Sequence, residues 1–150
     1  MIRYGSAGIA RCAGAMSKRR QGAHGFDRND ERWQIDVEGV LCEAAAAKAL
    51  GVPYEPVVGM LDTDLGDVAP GVQVRGTKYP QGSLLVHDSD RDRDKFILVT
   101  GKYGIYDMRG WIHAEHGKLP HLWKVYKGRG AYWVGQQFLK PFDAEAILGG

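Results

Sequence analysis

The run Glu43-Ala-Ala-Ala-Ala-Lys48, stopped by Gly51 and Pro53, constrains the fold of this 150-residue chain more than any other stretch. Alanine, glutamate and lysine are strong helix formers, a glycine just past the last turn permits the left-handed cap, and proline forbids continuation. Asn29 or Asp30 can cap the other end, and Asp30 and Glu31 suit a first helical turn. One helix is therefore predicted from about Asn29 to Leu50, with Gly39 as its weakest point. Strand signals dominate the chain beyond it. Pro53 to Gly66 reads as a loop, Gly71-Val-Gln-Val-Arg-Gly-Thr77 alternates, and Ser83–Asp88, Lys95–Thr100 and Tyr103–Ile112 are further apolar or alternating runs. The polar stretch Asp88–Lys95 reads as a hairpin connection, Tyr132–Pro141 as a strand that packs back, and Asp143–Leu148 as a short helix. A helix followed by such strands predicts an α/β (α+β) fold with a mixed sheet.

Length allows one domain with its own core, placed at residues 26–150. Residues 1–25, rich in glycine, alanine and basic groups, read as an N-terminal arm or a docked helix. The two cysteines, Cys12 and Cys42, have no metal-ligand spacing, which excludes a disulfide framework and a zinc cluster and points to a reducing, cytoplasmic compartment. No apolar run approaches membrane-spanning length, so no membrane partner is expected. The net charge of +2 names no partner. Its distribution says more: residues 1–26 carry +5, 27–67 carry −7, 68–101 carry +1, 102–140 carry +5 and 141–150 carry −2.

Glu43 is the acid in the least expected place. At 100° per residue, Gly39, Val40, Ala46, Ala47 and Leu50 fall within about 60° of it, so it centres the most apolar stripe of the helix, with Asp36 two turns earlier. A carboxylate turned toward a core needs a cation, a donor or a metal, and Lys48 or an arginine would satisfy it structurally. Asp62, Asp64 and Asp67 cluster just before the alternating run, in which Gln73 and Arg75 share one side and Val72 and Val74 the other. An acid entering a strand, an oxygen ligand on it and a cation two residues later form a chemical set suited to phosphodiester hydrolysis. Oxygens can hold Mg²⁺ or Mn²⁺, and the cation can stabilise charge on the phosphate.

Glu43 within Gly39-Val-Leu-Cys-Glu-Ala-Ala-Ala-Ala-Lys-Ala-Leu-Gly51, followed by Asp67, Gly71-Val-Gln-Val-Arg-Gly-Thr77, a hydrophobic hairpin and Gly110-Trp-Ile112, resembles the PD-(D/E)xK nuclease superfamily, especially its small phage-type members. The resemblance spans roughly residues 35–140 and rests on short motifs in the right order. It implies a restriction-endonuclease-like core with a mixed central sheet flanked by helices. It also implies a Mg²⁺-dependent nuclease acting on DNA, in the host cytoplasm if phage-encoded, and a possible homodimer. Glu43 then matches the early-helix acid, Asp67 the first motif acid, with Asp64 as the alternative, and Gln73-Val74-Arg75 the (D/E)xK tripeptide. The implied metal ligands are Glu43, Asp67 and Gln73, with Arg75 the phosphate-stabilising cation. Gln73 departs from the usual acid: its carbonyl can ligate, but it brings no charge and cannot serve as a base. Arg75 departs from the usual lysine and stays protonated. The alternative reading is a catalytically degenerate nucleic-acid-binding or assembly protein.

Lys78, Lys102, Lys124, Lys127 and Arg129 are the expected nucleic-acid contacts. The last three, with Lys118 and His121, interleave with Trp123, Tyr126, Tyr132 and Trp133, where cations can meet phosphates and rings can stack on bases. His113 and His116 fall in an expected loop without a third zinc ligand, and His87 reads as a hydrogen-bonded structural residue.

Overall fold

The computed structural model describes residues 29–56 and 66–149, with side chains in the first helix from residue 37 onward. The expected arm at 1–25, Asp62, Asp64 and the Asp36 side chain lie outside the described residues. Helix α1 spans Asn29–Leu50. Its buried positions Val40, Glu43, Ala46, Ala47 and Leu50 recur at helical spacing, as the apolar stripe predicts. The end is a Schellman motif: Gly51 takes φ +72°, its N–H donates to Lys48 O, and the Val52 N–H donates to Ala47 O. Pro53 comes next and the helix cannot resume.

Six strands succeed it: β1 (Val72–Thr77), β2 (Leu84–Val86), β3 (Lys95–Lys102), β4 (Ile105–His113), β5 (Trp123–Tyr126) and β6 (Arg129–Val134). Two short helices, α2 (Ala114–Gly117) and α3 (Ala144–Leu148), complete the described order with two 3₁₀ turns. The strands form two sheets. One is mixed, in the order β1-β3-β4, with β1 parallel to β3 and β4 antiparallel to it. The other is antiparallel, in the order β2-β6-β5.

Alternation decides which layer each sheet face meets. Val72, Val74, Ile97, Val99 and Trp111 face Cys42, Ala46 and Leu50 of α1 and Ile147 of α3. Phe96, Leu98 and Ile112 face the opposite way, onto Leu84, Val86 and Val134 of the second sheet. The mixed sheet is therefore central, as expected, but helices cover one of its faces and an antiparallel sheet covers the other. The polar stretch Asp88–Lys95 is accordingly not a hairpin: β2 and β3 belong to different sheets, and the stretch carries the chain between layers. Of the strand expected at 132–141 only 132–134 are strand, the end of β6, which is the second arm of a hairpin that begins at Trp123; a 3₁₀ turn at Gln136–Phe138 interrupts the rest. The hairpin's own turn, like that between β3 and β4, puts two successive residues at positive φ, Lys127-Gly128 and Tyr103-Gly104, the geometry that matches strand twist. Chain 139–141 adds a bridge from Lys140 to Trp111 at the edge of β4.

Buried Lys95 donates through Nζ to the carbonyls of Ala146 and Ile147, so a cation closes the end of α3 while Asp143 caps its start. His113 ends β4 and His116 lies in α2, their rings 5.8 Å apart edge to face, so neither sits in the loop expected for them.

The α1–β1 contact is tight. A Cβ on Gly76 would come within 2.5 Å of Cys42 Sγ. Gly76→Ala is expected to destabilise the fold by about 1–3 kcal/mol, the usual cost of overpacking. Adding Cys42→Ala should recover most of that loss in a denaturation-based double-mutant cycle, and an additive pair would show that the contact is not what limits the site.

Candidate phosphodiesterase site around β1

Four sets of side chains are organised by β1. On its helical face, Glu43 is 7% exposed, and its carboxylate accepts the Tyr54 hydroxyl at 2.5 Å. Tyr54, in the chain leaving α1, was not foreseen as a partner; the donor was expected from Lys48, which is exposed. At the outer edge of β1, the Asp67 N–H donates to Val72 O, and Asp67 Oδ2 accepts the Val74 N–H at 2.8 Å. The carboxylate thus takes a backbone donor that a further strand would otherwise satisfy. Because Cys42 lies against Gly76, the helical turn carrying Glu43 crosses β1 within two residues of Val74, the residue to which Asp67 is tied. The helix acid is thus placed near the C-terminal end of β1, and the edge acid is tied to its middle.

Gln73 and Arg75 do share a side of β1, as alternation predicts, but it is the side away from α1. Gln73 Nε2 donates to Asp94 Oδ2 at 3.4 Å, and the same oxygen accepts Arg91 Nε at 3.2 Å. Arg75 Nη2 reaches both Asp90 oxygens, at 3.1 and 3.3 Å, and its guanidinium lies 4.9 Å from the Phe96 ring centroid. Its shielded Nε has no hydrogen-bond partner among the described residues. The expected quartet is thus split: Glu43 faces the helical layer, Asp67 caps the edge, and Gln73 and Arg75 face the second sheet. Among the described residues no three His, Cys, Asp or Glu side chains gather into a metal-binding group.

Asp90 and Asp94 belong to a turn expected from the sequence to be a solvated connection. The Lys118 ammonium binds Asp88 O, Asp90 O and Asp92 Oδ1 at 3.1, 2.5 and 2.7 Å, and its pKa is raised chiefly by the hydrogen bond to Asp92. Asp90 also accepts the His87 N–H. Lys118 is therefore spent on this loop and is no part of the basic surface expected of it. The acid–base alternation Asp90-Arg91-Asp92-Arg93-Asp94 is the signal that could have marked a self-neutralising loop.

The expected nucleic-acid contacts fall into two exposed groups. Lys78 and Lys102 follow or end the parallel strands β1 and β3, so they share one end of the mixed sheet. Each ammonium lies beside the ring of the next residue, 5.3 Å from Tyr79 and 5.4 Å from Tyr103. Lys124, Lys127 and Arg129 lie on the β5–β6 hairpin.

Close to the site, Tyr106 donates to Glu38 Oε2 at 2.6 Å, and burial, then this bond, raises its phenol. Burial, followed by the charges of Glu38 and Glu43, pushes the Cys42 thiol up to about 12. A group protonated more firmly in the fold than its ordinary value of 9.0 favours the fold below that pH and loses the advantage as pH rises toward 12. In a Cys12→Ser background, Cys42 is expected to resist iodoacetamide at a pH of about 8.5 and react on unfolding; rapid alkylation of the folded protein would contradict its burial.

Comparison of this chain with protein-family models, with curated proteins and with solved structures finds no match.

Proposed function

We propose that the protein is a divalent-metal-dependent phosphodiesterase acting on DNA, with a restriction-endonuclease-like arrangement of α1 and the mixed sheet. The observation that carries this reading is a pair of fixed carboxylates on the elements around β1: Glu43, buried in an alanine-rich stripe beside Cys42, which packs on Gly76, and Asp67, bound to the Val74 N–H. A buried acid costs several kcal/mol unless partnered, and the Tyr54 hydroxyl holds Glu43 in one orientation, as a ligand site requires.

Mg²⁺ is commonly held by one or two carboxylates together with water and substrate phosphate, so Glu43 and Asp67 suffice in number and type. When bound, the ion supplies Lewis acidity and lowers the pKa of coordinated water. Gln73, turned toward Asp94 on the other face, does not join them in the described arrangement, so the ligand set implied by the resemblance reduces to two carboxylates. Glu43 is oriented by the Tyr54 hydroxyl, and Asp67 by backbone. Arg75, which faces the second sheet, holds Asp90 through Nη2 alone, so a phosphate would meet its remaining donors or replace Asp90.

The same two pairs, Gln73 with Asp94 and Arg75 with Asp90, favour a second reading: a nucleic-acid-binding or assembly protein that keeps the fold while the tripeptide serves structure. The two readings separate in one assay. Supercoiled, branched and single-stranded DNA are incubated with Mg²⁺ or Mn²⁺ and wild type, Asp67→Ala or Glu43→Gln, with circular dichroism to confirm folding. The nuclease reading expects cleavage that either variant lowers by about 100-fold or more, since disturbing even the partners of metal ligands costs about 10–100-fold. No cleavage of any substrate leaves the binding protein, and equal cleavage by the variants removes Glu43 and Asp67 as the catalytic acids.

A further inference from the structure

The outer face of the β5–β6 hairpin has no role in the chemistry above. Register fixes which side chains share it. Tyr126 pairs with Arg129, Lys124 pairs with Ala131, and Trp133 stands opposite Leu85 of β2. Val134, Leu84 and Val86 point inward to the core, and Trp123 and Tyr132 are on that inner side, packed edge to face with Trp123 over Gly130. Alternation therefore puts Lys124, Tyr126, Arg129 and Trp133 on the opposite face, which they share with buried Ala131; Trp133 is half-buried and the other three are exposed.

The hairpin also projects. β2 pairs only with 132–134 of β6, so β6 residues 129–131 and most of β5 extend past it, and every residue of β5 is exposed, Tyr126 by 60%. The rings of Tyr126 and Trp133 lie 6.2 Å apart at 71°, so they do not stack on each other. Each has an ammonium over one face, leaving stacking to the other: Lys127 Nζ is 5.4 Å from the Tyr126 centroid and Lys124 Nζ is 5.8 Å from that of Trp133. Ring for a base and cation for its phosphate are thus presented as adjacent pairs. From Gly117 to Phe142 the sequence has no acidic residue, so an anionic chain meets no opposing charge there.

We infer that this face binds a short segment of single-stranded DNA, through stacking of unpaired bases on Tyr126 and Trp133 and phosphate contacts from Lys124, Lys127 and Arg129. Bases within a duplex have their faces occupied by neighbours, whereas unpaired bases offer them to aromatic side chains. Trp123–Val134 contains no Asn, Gln, Asp or Glu, which leaves Arg129 and the lysines as the side chains that could read base edges and makes the contact tolerant of sequence. This deepens the proposed DNA reading, on which the choice of nucleic acid rests: the substrates would be those with exposed single strands.

The test measures anisotropy of labelled dT12 and of a 12-base-pair duplex with the full chain in EDTA, so that binding is read without cleavage. Binding of dT12 is expected to be at least about tenfold tighter than of duplex, and Tyr126→Ala to weaken it by about tenfold, while Tyr126→Phe retains it. Lys124→Gln with Lys127→Gln should reduce the log–log salt slope by about 0.7 per cation. Tyr126 is a surface residue, so its variants report on binding and not on folding. Equal affinity for duplex and dT12, or dT12 binding indifferent to Tyr126→Ala, overturns the inference. Nicking that persists with Tyr126-independent binding removes this inference and keeps the nuclease. Tyr126-dependent dT12 binding by a protein that cleaves nothing does the reverse.

Discussion

Helix α1 lies close on β1 because the residues between them are small. Cys42 and Ala46 meet Gly76 and the two valines of the strand, and no side chain larger than a thiol separates Cys42 from the Gly76 backbone. That spacing sets everything around β1. It brings the turn carrying Glu43 over the Gly76 end of the strand, fixes the helical face as the one lined by Val72 and Val74, and turns Gln73 and Arg75 toward the second sheet. The burial of Glu43 and the raised thiol of Cys42 are consequences of the same approach, since both are polar groups held where water does not reach.

Charge is managed locally, not by region. The −7 of residues 27–67 includes Glu43 and Asp67, but Asp90, Asp92 and Asp94 of the next segment are held by Arg75, Lys118 and Arg91 in a loop that connects the two sheets. The +5 of residues 102–140 divides likewise. Lys118 binds the acidic loop, whereas Lys124, Lys127 and Lys140 are exposed beside aromatic rings. Segment sums therefore located the basic end of the molecule without saying which cations were available.

Much of this was legible in the residues alone. The helix, its stop and the inward turn of Val40, Glu43, Ala46, Ala47 and Leu50 followed from propensity and spacing, because those are properties of a few neighbouring residues, whereas the burial of Cys42 did not. The partnering of strands was not, because alternation reports that a strand has two unlike faces and not which strand lies beside it. Hence Ser83–Asp88 and Lys95–Thr100 read as one hairpin although they lie in different layers. The split of the candidate site was within reach of the same reasoning: an apolar helical stripe must meet the valines of β1, so Gln73 and Arg75 had to face away from Glu43. What no pattern announced was Tyr54 as the partner of Glu43, a contact made by chain beyond the helix end. The hairpin turn at Lys127-Gly128 was hidden because a lysine stands where asparagine usually marks such a turn.

The Asp67 carboxylate on the Val74 N–H and the Lys140 bridge to Trp111 have an effect beyond their neighbours. Each covers part of one outer strand of the mixed sheet, so neither β1 nor β4 presents an uninterrupted ladder to another polypeptide. Strand β5 is left as an open border of the second sheet, and there Lys124, with Lys127 at the adjoining turn, would set like charges side by side if two molecules joined along it. Pairing of copies thus meets occupied backbone groups along β1 and β4 and like charge along β5, the border that carries the exposed aromatic ribbon.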